Sequence, residues 1–237
     1  MSRGTSRNVI NFREGILLTP ERYHRLRAVL DLRQPDLTVL MDEVHKPHNL
    51  SAILRNCDAV GVLEAHAVPP QGGLDIPDGT SAGTSKWVSV QRHRDLEAAV
   101  TALRADGFRI VAAHPTAGAE DFRKVDYTAP TAFLLGSELR GISDEGLALA
   151  DQCVVIPMVG LVRSLNVSVA TSLLLFEAFR QRQAVGMYDR PRLDPERYRT
   201  LLFEWAYPRL ARRLRDEKLR YPPIREDGSV DPALLPR

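Results

Sequence analysis

Cysteine is scarce in this sequence. Cys57 and Cys153 are the only two, each lies among apolar neighbours, and buried free thiols are expected rather than a disulfide framework or a cysteine-rich metal cluster. No apolar run approaches membrane-spanning length and the N-terminus has no apolar signal core, so a cytoplasmic protein without a membrane partner is expected. Neither sign of charge prevails: 32 Lys and Arg against 30 Asp and Glu leave a net charge of +2, so the total does not declare a bulk polyanion binder. Also missing are an HExxH helix, a cysteine pair at zinc spacing, a GxSxG elbow, a P-loop and a full dinucleotide fingerprint. Hydrolase and metal chemistry lose ground accordingly, and no metal is expected; Ser164 with His48 far away in sequence is not a triad.

What is present is enough apolar residue, 44% of 237 positions, for one large α/β domain with additions at its ends. Residues 1–18 are polar and irregular and read as a loosely docked arm. Thr19 and Pro20 then open a helix with Tyr23, Leu26, Val29 and Leu30 in register. The run from Leu37 to Met41 is a buried strand, and a helix from Asn49 sets Leu50, Ile53, Leu54, Cys57 and Val60 on one face before Gly61 closes it. Further strands are expected at Ala65–Val68, Trp87–Val90, Arg109–Ala113, Thr131–Leu135 and Cys153–Ile156, with helices at Asp95–Arg104, Asp144–Ala150 and Leu165–Arg182. Strands alternating with helices, several of them apolar throughout, argue for a parallel sheet covered on both faces. After Pro191 comes an Arg-rich extension with one helical segment, Tyr198–Leu219, and a tail, Pro222–Arg237, expected to be disordered. The expected division is 1–34, an arm and helix; 35–186, a catalytic domain; and 187–237, the extension.

Three loops follow buried strands and would share the carboxyl edge of a parallel sheet, where α/β proteins bind ligands. The first leads into Asn49-Leu50-Ser51-Ala52-Ile53-Leu54-Arg55, where six residues at ~100° each separate Asn49 from Arg55 by about 120°, implying separate duties. Arg55 alone also fits a surface charge snorkelling from the edge of an apolar face. The second, Leu135-Gly136-Ser137-Glu138, offers a glycine where a backbone can approach a ligand, beside a carboxylate. The third, Ile156 to Ala170, hands a strand to a long helix, with Ser164 and Asn166 available as caps; by itself it also reads as a plain strand-to-helix turn. Arginine gathers near both ends, from Arg22 to Arg33 and from Arg180 to Arg220, a distribution that suits RNA phosphates but equally a solvated face paired with its neighbouring acids.

Taken together and in order, Asn49 to Arg55, Leu135 to Glu138, and Ile156-Pro157-Met158 with Ser164-Leu165-Asn166-Val167-Ser168-Val169-Ala170 resemble the three motifs of the SPOUT methyltransferases. Within that superfamily the chain is most similar to the tRNA (guanosine(18)-2'-O)-methyltransferase family. The likeness extends through Val44-His45-Lys46-Pro47-His48, Lys86-Trp87-Val88 and Tyr188-Asp189-Arg190-Pro191-Arg192, and spans roughly Leu26 to Tyr198.

The resemblance implies an α/β SPOUT fold: a mostly parallel sheet flanked by helices, a C-terminal deep trefoil knot, and helical extensions at both ends. It implies S-adenosyl-L-methionine held by Leu135, Gly136, Ile156, Met158, Ser164, Leu165 and Val167, a homodimer that completes the site, and tRNA as substrate. Arg55, Asn49, Glu138 and Asn166 would form the catalytic set. Arg55 would stand nearest the ribose proton, acting either as a base or as a charged group that grips phosphate and stabilises the alkoxide. Arg25, Arg33, His48, Arg180 and Arg182 would contact RNA. Two alternatives stand beside this reading: a SPOUT 2'-O-methyltransferase acting on ribosomal RNA or a tRNA wobble nucleotide, and an RNA-binding module with a vestigial cofactor site.

Overall fold

In the computed structural model, residues 18–70, 86–137 and 140–235 are described. The chain divides into two units, one of residues 32–192 and one that joins the segment ending at Asp31 to the segment from Leu193 onward.

The first unit is built on a seven-stranded sheet. Its strands are β1 (Leu37–Asp42), β2 (Glu64–Val68), β3 (Ser89–Arg92), β4 (Arg109–Ala113), β5 (Glu120–Asp121), β6 (Thr131–Leu135) and β7 (Gln152–Val155), in spatial order β3-β2-β1-β6-β4-β7-β5. Every pairing is parallel, so all carboxyl ends lie on one edge. The central strands β1 and β6 are buried at every position, as their predominantly apolar sequences require. Register places Met41 beside Leu135, so the first two candidate loops leave the sheet side by side.

The helices of this unit are α2 (Pro47–Ala59), α3 (Leu96–Ala105), α4 (Asp144–Leu149) and α5 (Val167–Ala184). One face of the sheet carries Val39, Met41 and Phe133 in a cluster with Leu50, Ile53, Leu54 and Leu174, and the other carries Leu40, Ala132 and Leu134 with Leu96, Val100 and Leu103. Period-two alternation on strands that contact helices above and below is the cause of both layers. Gly61 takes φ +85°, and a Cβ there would stand 2.6 Å from the Leu32 carbonyl oxygen, so only glycine ends α2 in this way.

The second unit contains α1 (Pro20–Asp31), α6 (Pro195–Ala206) and α7 (Pro208–Asp216). The expected single helix from Tyr198 to Leu219 is two helices. Pro208 has no N–H to donate and drives Tyr207 out of helical conformation, to φ −131° and ψ 59°. The tail is also not disordered over the described residues: Ile224 pairs with Val230 across a turn, Arg225 bonds Asp231 at 2.6 Å, and the Tyr207 hydroxyl donates to the Gly228 carbonyl. Among the described residues no helix is long and apolar enough to cross a membrane.

Candidate active site

The carboxyl edge of the sheet brings the first and third motifs into contact. Asn49 lies in the first turn of α2 and is 1% exposed. Its side-chain carbonyl accepts from Asn166 Nδ2 at 3.1 Å, across 117 residues of sequence. Asn166 is itself the N-cap of α5, its Oδ1 accepting from the Ser168 amide at 2.8 Å and from the Ser168 hydroxyl at 2.6 Å. A second strut lies beside the first: Asn56 Nδ2 donates to the Ser168 carbonyl in the opening turn of α5 at 2.9 Å. The sequence offers Ser164 and Asn166 as caps of a helix from Leu165, whereas α5 starts at Val167 and Asn166 caps it; the two cross-links need the fold to bring α2 against α5.

Arg55 lies on the same helix with its side chain exposed, and no carboxylate among the described residues pairs with it. The angular separation expected from Asn49 therefore holds: one residue is buried in the α2–α5 joint, the other faces out. Ser164 is exposed and does not cap α5.

Leu135 is the buried last residue of β6. Gly136, expected to let a ligand approach, is also required by its own loop: a Cβ would stand 2.0 Å from the carbonyl carbon of Gly141 and 2.2 Å from the amide of Ile142. Ser137 and Gly141 close this loop with an antiparallel bridge, Gly141 N donating to Ser137 O at 2.9 Å. Glu138 lies outside the described residues. Where the loop ends, the Ser143 hydroxyl donates to Asp42 Oδ2 at 3.1 Å while accepting from the Gly146 amide, tying the end of β1 to the start of α4. Burial pushes the Asp42 carboxyl above its ordinary value, more than the Ser143 bonds lower it. A carboxylate as the last residue of an otherwise apolar strand is the signal that could have marked it.

From Pro157 to Leu165 no main-chain hydrogen bond joins the loop to another described residue. Ile156, Met158, Leu165 and Val167 are half-buried, Ile156 and Val167 packing against the main core, while residues 159–164 are exposed. Free main-chain donors and acceptors flanked by apolar side chains suit an adenosyl group, whose base edge needs hydrogen bonds and whose face needs apolar walls. The site residues therefore fit the expected cofactor.

Arg25, His48 and Arg180 are exposed, Arg180 being held by Glu177 at 2.7 Å. Arg33 and Arg182 are not placed as RNA grips: they are 1% and 0% exposed. Arg33 is paired with Asp58 and donates to the Val62 carbonyl, and Arg182 donates to Asp36 at 2.6 Å and to the carbonyls of Tyr127 and Ala129. Arg192 grips the same Asp36 at 2.6 and 2.9 Å. Burial alone would raise the Asp36 carboxyl, but the hydrogen bonds and charges of Arg192 and Arg182 outweigh it and hold the group below the ordinary carboxylate value. These two arginines organise the interior, a use of charge that composition does not distinguish from RNA binding.

Comparison with known proteins points the same way. A sequence profile described as the SpoU rRNA methylase family matches residues 36–176, and one described as the C-terminal part of SpoU rRNA methylase matches residues 180–232. The tRNA (guanosine(18)-2'-O)-methyltransferase of Thermus thermophilus is 58% identical over 187 residues, 79% of this chain and 96% of the relative. The crystal structure of a TrmH/SpoU tRNA modifying enzyme from Aquifex aeolicus superposes with a TM-score of 0.74 at 44% identity, over 79% of this chain and 96% of that one. The SpoU methyltransferase AviRb from Streptomyces viridochromogenes, solved in complex with the cofactor AdoMet, gives 0.57 at 31% identity, over 65% and 61%.

Proposed function

The chain belongs to the SpoU methylase family of SPOUT methyltransferases, and from that premise we propose that it transfers a methyl group to the ribose 2'-hydroxyl of guanosine 18 in the tRNA D-loop. The observation that carries the proposal is the Asn49–Asn166 hydrogen bond, which locks the helix bearing Arg55 to the start of α5 at the sheet's carboxyl edge. S-adenosyl-L-methionine would supply an electrophilic sulfonium methyl. Leu135, Gly136, Ile156, Met158, Ser164, Leu165 and Val167 would hold it, mainly through main-chain groups, in a segment threaded as the family's trefoil knot.

A ribose hydroxyl is a weak nucleophile until its proton leaves, and in-line attack needs both reactants held in place. A charged guanidinium has donors and no acceptor, so we assign Arg55 the charged role: it grips the neighbouring phosphate and stabilises the developing alkoxide, while the hydroxyl proton passes to water at the exposed edge of the site. Asn49 and Asn166 fix the helix that presents Arg55. Arg25, His48 and Arg180 remain as outer RNA contacts. An apolar row on α5, Val169, Leu173 and Phe176, is 48%, 39% and 46% exposed at helical spacing, which supports a homodimer that buries it. With tRNA as substrate, the cytoplasm is its place of work.

Incubation with labelled S-adenosyl-L-methionine and, in separate reactions, total tRNA and ribosomal RNA tests the proposal: label should enter tRNA, at guanosine 18, with the wild-type chain and not with Arg55→Ala. Incorporation into ribosomal RNA alone would favour the ribosomal alternative, and full turnover by Arg55→Ala would reject the assignment of Arg55.

A further inference from the structure

The terminal unit holds a cavity of about 1060 Å³ lined by exposed cations and by partly or fully buried aromatic rings. Arg27, Arg199, Arg215, Lys218 and Arg220 contribute to it against one carboxylate, Glu196. Arg215 is paired with Glu204 at 3.3 Å, and Arg27 is hydrogen-bonded to Tyr198. Arg199, Lys218 and Arg220 are exposed and have no carboxylate partner among the described residues. Cations grouped around a recess without counter-charges repel one another, and a polyanion relieves that repulsion.

The aromatic part of the lining has a different chemistry. Tyr221 is stacked on Phe203 with centroids 4.6 Å apart and planes 16° apart, so one face of its ring is backed and the ring is held flat. Tyr198 is fixed by its hydroxyl bond to Asp31 at 2.6 Å, and the buried Tyr23 and Leu202 also line the cavity. Rigid aromatic rings beside unpaired cations are the combination that holds unpaired nucleotides, with bases on the rings and phosphates on the cations.

The position of Lys218 adds an independent argument. Helix α7 ends in a Schellman motif, Lys218 N donating to Arg215 O at 3.0 Å and Leu219 N to Leu214 O at 2.8 Å. That geometry sets Lys218 at φ +56°, where glycine is the low-strain residue. Lys218 thus holds a backbone conformation that favours glycine at a position that lines the cavity, and strain of this kind gathers at functional sites.

We propose that this cavity is a second RNA site, binding an unpaired nucleotide stretch of the tRNA through stacking on Tyr198 and Tyr221 and phosphate contacts from Arg199, Lys218 and Arg220. The proposal rests on tRNA being the substrate. It is tested with the full chain and a variant combining Arg199→Gln, Lys218→Gln and Arg220→Gln, measuring tRNA affinity over a salt series and, separately, kcat and KM for methyl transfer. Loss of three phosphate contacts should weaken binding about tenfold or more and reduce the slope of log affinity against log salt by roughly 2, at about 0.7 per single-strand contact. KM should rise while kcat at saturating tRNA stays close to wild type.

Unchanged affinity and slope in a variant that still methylates would overturn the site and leave the methyltransferase reading intact. Loss of affinity in the variant, with no methylation of any tRNA by wild type, would uphold the site and reject that reading. GMP displacing a labelled oligoadenylate at equal molar concentration would assign the cavity to free nucleotides and overturn the RNA proposal. Lys218→Gly is the second variant. It should melt at or above wild type yet bind tRNA more weakly, whereas wild-type affinity in a stabilised variant would remove Lys218 from the site.

Discussion

Replacing Asn166 by alanine removes two duties at once, and the structure assigns a size to each. The first is the cap on α5, where Oδ1 accepts from the Ser168 amide at 2.8 Å; loss of such a cap costs about 1 kcal/mol. The second is the strut to Asn49 at 3.1 Å, for which a net value of about 1 kcal/mol is usual. The unit that contains both runs from residue 32 to 192, a size at which each kcal/mol shifts Tm by about 2–4 °C. Asn166→Ala should therefore lower Tm by about 4–8 °C. Asn166→Ser keeps a capping oxygen, loses the reach to Asn49, and should recover about half of that loss. A double-mutant cycle with Asn49→Ala, read by urea denaturation, should give a coupling of about 1 kcal/mol. Strictly additive losses would show that the two amides do not depend on each other, and the joint between the first and third motifs would not be the support claimed for Arg55.

Three other perturbations follow from the same geometry. Asp36→Asn leaves the interior guanidinium of Arg182 without its counter-charge and should cost about 3–5 kcal/mol in denaturant unfolding. Because the folded Asp36 carboxyl titrates below its unfolded value of about 3.9, its contribution is complete above that pH and is lost as pH falls through the lower, folded value. The wild-type chain should therefore lose stability in that acid window more steeply than Asp36→Asn, and parallel curves would contradict the pairing. Gly136→Ala must push apart the backbone at Gly141 and Ile142, so cofactor affinity by calorimetry should fall about tenfold or more while far-ultraviolet circular dichroism keeps the sheet signal; unchanged affinity would separate this loop from the cofactor site. Cys57, fully buried with its thiol pushed up to about 12, should resist alkylation at pH 8 until the chain unfolds, and rapid modification of the native protein would show that the α2 face opens.

The centre of the sheet was legible because the run from Leu37 to Met41 and that from Thr131 to Leu135 are almost wholly apolar and admit few other readings. Asn166 was legible only as one of two candidate caps beside Ser164; the helix expected from Leu165 starts at Val167, and that two-residue shift makes Asn166 the cap. Its bond to Asn49 was not legible, because no local pattern relates residues 117 apart until α2 lies against α5. Arg33 and Arg182 were misplaced for a related reason: an arginine in a cationic cluster and an arginine that fastens Asp36 to two carbonyls look alike until burial is known. Strand β5, two residues long, carries no periodic signal, and the break at Pro208 was hidden by apolar spacing that continues on both sides of it. The tail is ordered by single contacts, such as the Tyr207 hydroxyl on the Gly228 carbonyl, that composition does not register.

The central claim concerns one oxygen atom. A tRNA assembled with 2'-deoxyguanosine at position 18 and ribose elsewhere keeps the shape and charge of the substrate but lacks the proposed nucleophile. Offered with labelled S-adenosyl-L-methionine beside the all-ribose tRNA, it should bind with similar affinity and accept no methyl group, while the all-ribose tRNA is labelled. Label entering the deoxy-substituted tRNA at the normal rate would contradict the account, because the methyl group would then be going to another atom.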